Sequence, residues 1–205
     1  MTTDAPLRAL ALNCTLKASP AASSTELLVQ QVLAELAAHG VEGEQIRIAD
    51  LDVAPGVQTD EGDGDEWPSV RERLLAADIL VLGTPTWVGH ASSFAYRVLE
   101  RLDAELSETD EQGRPSLFDK VAVVAVVGNE DGAHKVTADL FQALDDVGFT
   151  IPAQGATYWN GEAMQTVDYR DLDETPEQVA STTATLARNA AHLARALRAA
   201  GYPAA

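Results

Sequence analysis

Cysteine is almost absent from this 205-residue sequence. Its one thiol, Cys14, rules out a disulfide within the chain and fits a reducing compartment. Cations are scarce too: 14 Lys and Arg stand against 32 Asp and Glu, a net charge of −18. Such a chain repels nucleic acid and anionic membranes, and it has no basic cluster to drive counterion release. No apolar run approaches the roughly 20 residues that cross a bilayer. The N-terminal MTTDAPLRAL has no positive segment leading into an apolar one, so no secretory signal is read. A cytoplasmic protein without nucleic-acid or membrane partners is the expectation. Several motifs are missing as well. There is no G-x-G-x-x-G fingerprint, no G-x-x-x-x-G-K-[ST] loop and no G-x-S-x-G elbow. His39, His90, His134 and His192 fall on separate elements without ligand spacing, so no metal is assigned.

What is present is an alternation of two segment types. Nearly continuous apolar runs at Leu7–Leu12, Ile79–Leu82 and Val121–Val127 read as strands covered on both faces. Weaker runs at Gln45–Ile48 and around Ala153–Tyr158 bring the strands to five. Between them, Leu28, Val29, Val32, Leu33 and Leu36 form a helical stripe that Gly40 is placed to end. Phe94, Val98, Leu99 and Leu102 repeat that spacing, as do Val136, Leu140, Phe141 and Leu144, while Val70, Leu74 and Leu75 mark a shorter helix. A last helix spans about Pro176 to Ala200, with Val179, Leu186, Leu193 and Leu197 on one face. Strands alternating with helices imply an α/β open parallel sheet, strand order 2-1-3-4-5, with helices on both faces. Residues 1–205 are expected to form one domain. The acidic run Asp60–Glu66, DEGDGDE, reads as a solvated loop.

In such a sheet a ligand sits beyond the carboxyl ends of the strands, where strand order reverses. Three loops meet there. The first, Asn13–Thr25, is rich in hydroxyls: Thr15, Ser19, Ser23, Ser24 and Thr25, with Lys17 as a cation. Ser23 and Glu26 make a capping box, which accounts for one serine. Unpaired N–H groups at the helix terminus, with so many hydroxyl donors, suit a monophosphate. The second, Gly83–Ser93, carries Pro85, Thr86, Trp87, Val88 and Gly89. Its tryptophan, rigid turn and close backbone suit a flat heteroaromatic ring, unless Trp87 packs on a loop or a second subunit. The third, Gly128–His134, has two glycines that let the chain bend sharply and Asn129 as both donor and acceptor, although a plain strand-to-helix turn also explains it. His90 and His134 lie in the ring-side loops, either to orient a substrate or as ordinary loop histidines. Cys14 reads either as a redox thiol beside the first loop or, as the better reading, as a small buried residue at a strand end.

These residues resemble the flavodoxin-like NADPH-dependent FMN reductases, a family that includes the WrbA-type quinone reductases. The resemblance runs from about Leu7 to the last helix. Its most specific element is ILVLGTPTWVGHASSFAYRVLERLD, similar to the family's T-P-T/I-Y/W-x-G segment beside the flavin ring. NCTLKASPAASSTELL resembles the phosphate loop G-S-x-R-x-x-S-x-T, with Thr15 for its serine, Lys17 for its arginine and Thr25 for its last threonine. Cys14 replaces the glycine, and the loop is longer than the common form. The tail ATYWNGEAMQTVDYRDL is similar to a segment of some members.

The resemblance implies bound FMN, NADPH or NADH as electron donor and a quinone-like or other small-molecule acceptor. It implies a homodimer or homotetramer. Thr15, Lys17, Ser23, Ser24 and Thr25 would hold the phosphate; Pro85, Thr86, Trp87, Val88 and Gly89 one side of the ring; Gly128, Asn129, Glu130 and Asp131 its other edge. The cofactor carries the chemistry, so no general acid or base is named. Two alternatives stand beside this reading: a flavodoxin-like electron carrier without nicotinamide chemistry, and a cofactor-free binding protein with the same fold.

Overall fold

The computed structural model describes residues 5–161 and 167–203. Five parallel strands form the sheet: β1 (Leu7–Asn13), β2 (Val41–Arg47), β3 (Ile79–Trp87), β5 (Val121–Val127) and β6 (Ala156–Trp159). A two-residue strand, β4 (His90–Ala91), pairs antiparallel with the end of β3. The order is β2-β1-β3-β5-β6, with β4 off the path. Leaving β4 aside, this is the flavodoxin-like order expected from the sequence.

Residues on the central strands alternate between two cores. Leu10, Leu12, Leu80, Leu82, Val124 and Val126 face one. That core is covered by α2 (Trp67–Ala76), α3 (Ser93–Leu102) and α4 (Ala133–Asp146). Ala9, Ala11, Ile79, Val81, Val123 and Ala125 face the other, under α1 (Ser24–Ala38) and α5 (Glu177–Ala199). On that side Ala187, Ala190, Ala191 and Ala194 join Val179, Thr183 and Leu186 in the buried surface of α5, and the alanines are small enough for the helix to lie close to the sheet. Every residue of β5 is buried, which is why VAVVAVV shows no alternation of polarity.

Three boundaries differ from the sequence reading. β2 begins at Val41, before the expected Gln45, because its first half is an exposed edge written in polar residues. β6 starts at Ala156 rather than Ala153. β3 continues past Leu82 through Thr84-Pro85-Thr86 to Trp87, so Trp87 belongs to a strand end and not to a loop. Its extension is held by the pairings Thr84↔Val126 and Pro85↔Val127 and by the hairpin to β4.

Cys14 is fully buried just beyond β1, and burial pushes its thiol well above the usual range. Its carbonyl accepts a hydrogen bond from Ser92 Oγ at 2.6 Å. A thiol reagent such as Ellman's is expected to find no thiol in the folded protein and one after denaturation. Rapid reaction of the native protein would contradict that burial.

Candidate functional site

The ends of β1, β3 and β5 open into one cleft, at the carboxyl end of the sheet where this topology holds its ligands. Of the residues named from the sequence, Thr15, Lys17, Ser23, Ser24, Thr25, Pro85, Thr86, Trp87, Gly128 and Asn129 all line it. Val88, Gly89, Glu130 and Asp131 do not.

At one end of the cleft lies the hydroxyl-rich loop and the start of α1. Ser23 caps the helix, its Oγ accepting from Glu26 N–H at 3.2 Å. The N–H groups of Ser24 and Thr25 precede the first intrahelical bond and point out of the helix end. The loop itself is braced from β2 and the turn that follows it. Arg47 donates to the carbonyls of Lys17 (3.2 Å) and Ala21 (2.8 Å) and to Glu26 at 2.6 Å. Asp50 accepts from both the N–H and the Oγ of Ser19, each at 2.6 Å. Those bonds hold the Asp50 carboxyl below the usual range, the Ser19 hydroxyl contributing most. Ser19 is therefore a loop anchor, whereas Thr15 and Thr25 face the cleft.

At the other end, the β3–β4 hairpin and the loop after β5 are fastened to each other. Val88 and Gly89 form the tip of the β3–β4 hairpin, both with positive φ (52° and 71°), as a two-residue primed turn requires. The Val88 N–H donates to Glu130 Oε1 at 2.9 Å. Gly89 lies so close to Gly132 that a Cβ on Gly132 would come within 2.8 Å of Gly89 Cα. Glu130 thus ties loop to hairpin, and Asp131 Oδ1 accepts from the Gly132 N–H at 2.7 Å. At the tip, Trp87 is 53% and Val88 86% exposed. Gly128 forms part of the cleft wall, and a Cβ there would meet Thr86 Cβ at 3.0 Å.

Gly89 and Asp131 instead border a neighbouring cleft with Gly132, His134, Lys135, Tyr158 and Asn160. His134 Nε2 is 2.9 Å from Tyr158 Oη, with the rings edge to face at 5.0 Å. Lys135 Nζ lies 3.1 Å from His90 Nδ1 and 2.5 Å from Asp139. Neither histidine is isolated. Among the described residues no group of His, Cys, Asp and Glu has the makings of a metal site.

Trp159, Asp168, Tyr169 and Arg170 also line the main cleft, although the sequence reading did not count them among its site residues. They come from the tail segment, of which residues 162–166 lie outside the described structure. Trp159 and Tyr169 pack at 5.4 Å between ring centroids. Only an unusual run of aromatic and charged residues in YWN and DYRD marked them beforehand.

The family model for NADPH-dependent FMN reductase matches residues 7–164. The chain belongs to that family. FMN is the flavin, and NADPH the donor, of the family's description. Among curated proteins, this FMN reductase-family chain is 37% identical over 200 residues to the divalent metal cation transporter MntH of Mycobacterium bovis, covering 94% of the chain but 29% of that protein. It is 34% identical over 166 residues to 8-demethyl-8-aminoriboflavin-5'-phosphate synthase of Streptomyces davaonensis, covering 77% of the chain and 65% of that protein. The chain therefore spans less than two thirds of either relative. No helix among the described residues is long and apolar enough to cross a membrane. Among solved structures, RosB with bound 8-demethyl-8-formylriboflavin-5'-phosphate superposes with a TM-score of 0.86 at 32% identity, over 96% of this chain and 82% of that one.

Proposed function

We propose that this chain is an FMN-dependent oxidoreductase that draws electrons from NADPH or NADH and delivers them to a small acceptor of quinone or flavin type. The observation that carries the reading is one cleft with two unlike ends. One end has helix-terminal N–H groups, hydroxyls and cations, and the other has tryptophan, proline and glycine backbone. A phosphate fits the first because its charge meets the α1 dipole and the free donors of Ser24 and Thr25. A flat tricyclic ring fits the second, between the Trp87–Thr86 edge and the Gly128–Asn129 turn. FMN, when bound, supplies two-electron redox chemistry.

The chain's own residues position and enclose. Thr15, Lys17, Ser23, Ser24 and Thr25 hold the phosphate, while Pro85, Thr86, Trp87, Gly128 and Asn129 hold the ring. Val88, Gly89, Glu130 and Asp131 act at the rim, where the Glu130 bond keeps hairpin and loop in register. His134 and Tyr158 in the neighbouring cleft offer hydrogen bonds to an acceptor approaching from that side. Trp87 and Val88, exposed at the tip, provide an apolar surface for a second copy in a homodimer or homotetramer. Residues 1–205 act as one FMN-binding domain.

A second reading takes riboflavin phosphate as the substrate rather than the resident cofactor. It is favoured by the 34% identity to an aminoriboflavin-phosphate synthase. Purified protein titrated with FMN and then mixed anaerobically with NADPH or NADH separates the readings. Visible flavin absorption that bleaches with the nicotinamide supports the reductase. Flavin that stays oxidised with both nicotinamides would leave an electron carrier, and flavin recovered with an altered mass would favour the second reading. A protein that takes up no flavin refutes both.

A further inference from the structure

Residues 167–176, ahead of α5, cross the phosphate end of the cleft as a strap centred on the turn Tyr169–Asp171. The strap lies beyond residue 164, where the family match ends. It is latched to α1 at several points. Tyr169 Oη donates to Gln31 Oε1 at 2.6 Å, and the other end of the same amide donates to Thr175 Oγ1 at 2.8 Å. Tyr169 is buried, and its ring rests on Trp159. Arg170 NH1 donates to the Ala22 carbonyl at 2.7 Å, and the Arg170 N–H reaches Ser24 Oγ at 3.4 Å. Gln31, Ala22 and Ser24 belong to α1 or to the loop before it, so the strap is fixed to the same elements that form the phosphate end.

We propose that the strap is a phosphate clamp, in which Arg170 acts as a second cationic ligand beside Lys17 and makes the site select a 5'-phosphorylated flavin over the unphosphorylated one. The proposal rests on the FMN reading above. Arg170 lines the cleft with Lys17, Ser23, Ser24 and Thr25. Its carboxylate neighbours do not saturate it: Asp168 is 3.4 Å and Asp171 3.5 Å away, longer than an ordinary N–H···O bond. Both acids are more exposed than the guanidinium, with side-chain exposures of 43% and 58% against 30%. A planar fork with one nitrogen committed to Ala22 keeps its other donors for a phosphate oxygen. Tyr169 is a positioning residue that holds the fork at the cleft.

Flavin fluorescence quenching, with FMN and riboflavin titrated separately into wild type, Arg170→Gln, Arg170→Lys and Tyr169→Phe, tests the clamp. Loss of one charge-assisted contact is expected to weaken FMN on the order of 10- to 100-fold in Arg170→Gln. Riboflavin affinity should stay within about twofold, and Arg170→Lys should recover part of the loss. Tyr169→Phe should lower the FMN-to-riboflavin preference by a smaller factor in the same direction. Equal weakening of both flavins would make the strap a structural element only, and FMN affinity unchanged in Arg170→Gln would remove Arg170 from the site. Wild-type protein that binds neither flavin overturns the FMN reading itself, and the clamp with it; wild type that binds both equally overturns the clamp alone.

Discussion

Replacing Arg101 by methionine is expected to destabilise the protein by about 3–5 kcal/mol, read as a fall in the urea midpoint at constant slope. The guanidinium is fully buried and lies 2.8 Å from Asp65, whose side chain is 1% exposed. It also donates to the carbonyls of Ala54 (3.0 Å) and Gln58 (2.8 Å), and stacks 5.6 Å above the Trp67 ring. Asp65 in turn accepts from the N–H groups of Ala54, Glu61 and Trp67 at 3.0–3.2 Å. Arg101→Met strands the carboxylate, and Asp65→Asn strands the guanidinium. A double variant, Arg101→Met with Asp65→Leu, should recover part of the loss because no charge is left alone in the core. Recovery should be incomplete, since the backbone groups of the 54–67 loop still lose their partners. Full additivity of the single changes Arg101→Met and Asp65→Leu in that double variant would refute the pairing.

The same pair sets an acid limit. Burial raises the Asp65 carboxyl, but the donors from Glu61, Arg101, Trp67 and Ala54 outweigh it and hold it below the ordinary value. A carboxyl depressed in the folded state contributes its stability above the unfolded value, about 3.9, and loses it as pH falls through the folded one. Stability measured down from pH 6 should therefore hold until about pH 4 and then decline, with a shallower decline in the double variant. A run that reads as a solvated acidic loop thus hides one structural carboxylate. Its partner lies on α3, and nothing in DEGDGDE distinguishes Asp65 from Asp63.

The contrast shows what kind of information the sequence carried. VAVVAVV marks β5 to the residue because both faces are buried and composition alone expresses that. The end of β3 was obscured, since Thr84-Pro85-Thr86 has the composition of a turn and is held extended by its neighbours. The cleft was legible as three loops, because parallel topology forces their convergence. What each polar group does within it was not. Ser19 and Ser23 look alike in sequence, yet Asp50 claims one and the α1 backbone the other. The place of the 167–176 strap was hidden for the same reason: Tyr169 meets Gln31 across 138 positions, and no local pattern reports such a contact.

Arg47→Met should weaken FMN binding on the order of 100-fold while destabilising the fold by only about 1–3 kcal/mol. The residue never reaches the cleft lining, and its side chain is 4% exposed at the end of β2. Its three donors hold the Lys17 and Ala21 carbonyls and the Glu26 carboxylate, that is, both sides of the hydroxyl-rich loop and the first turn of the helix behind it. Without them the two carbonyls turn toward water, which costs the folded state little because the loop is exposed. The loop would then sample many conformations, and binding would have to order it, so the cost appears in affinity. Methionine keeps an unbranched apolar stem in the buried position, which limits packing damage. Hydrogen exchange gives a readout that needs no flavin: amides of residues 15–22 should lose protection in Arg47→Met while those of β5 keep theirs. Ser19→Ala, which removes only one of the two bonds to Asp50, should produce a smaller loosening confined to the same loop. Protection lost uniformly across the sheet would mean that Arg47 supports the fold as a whole rather than the loop before α1.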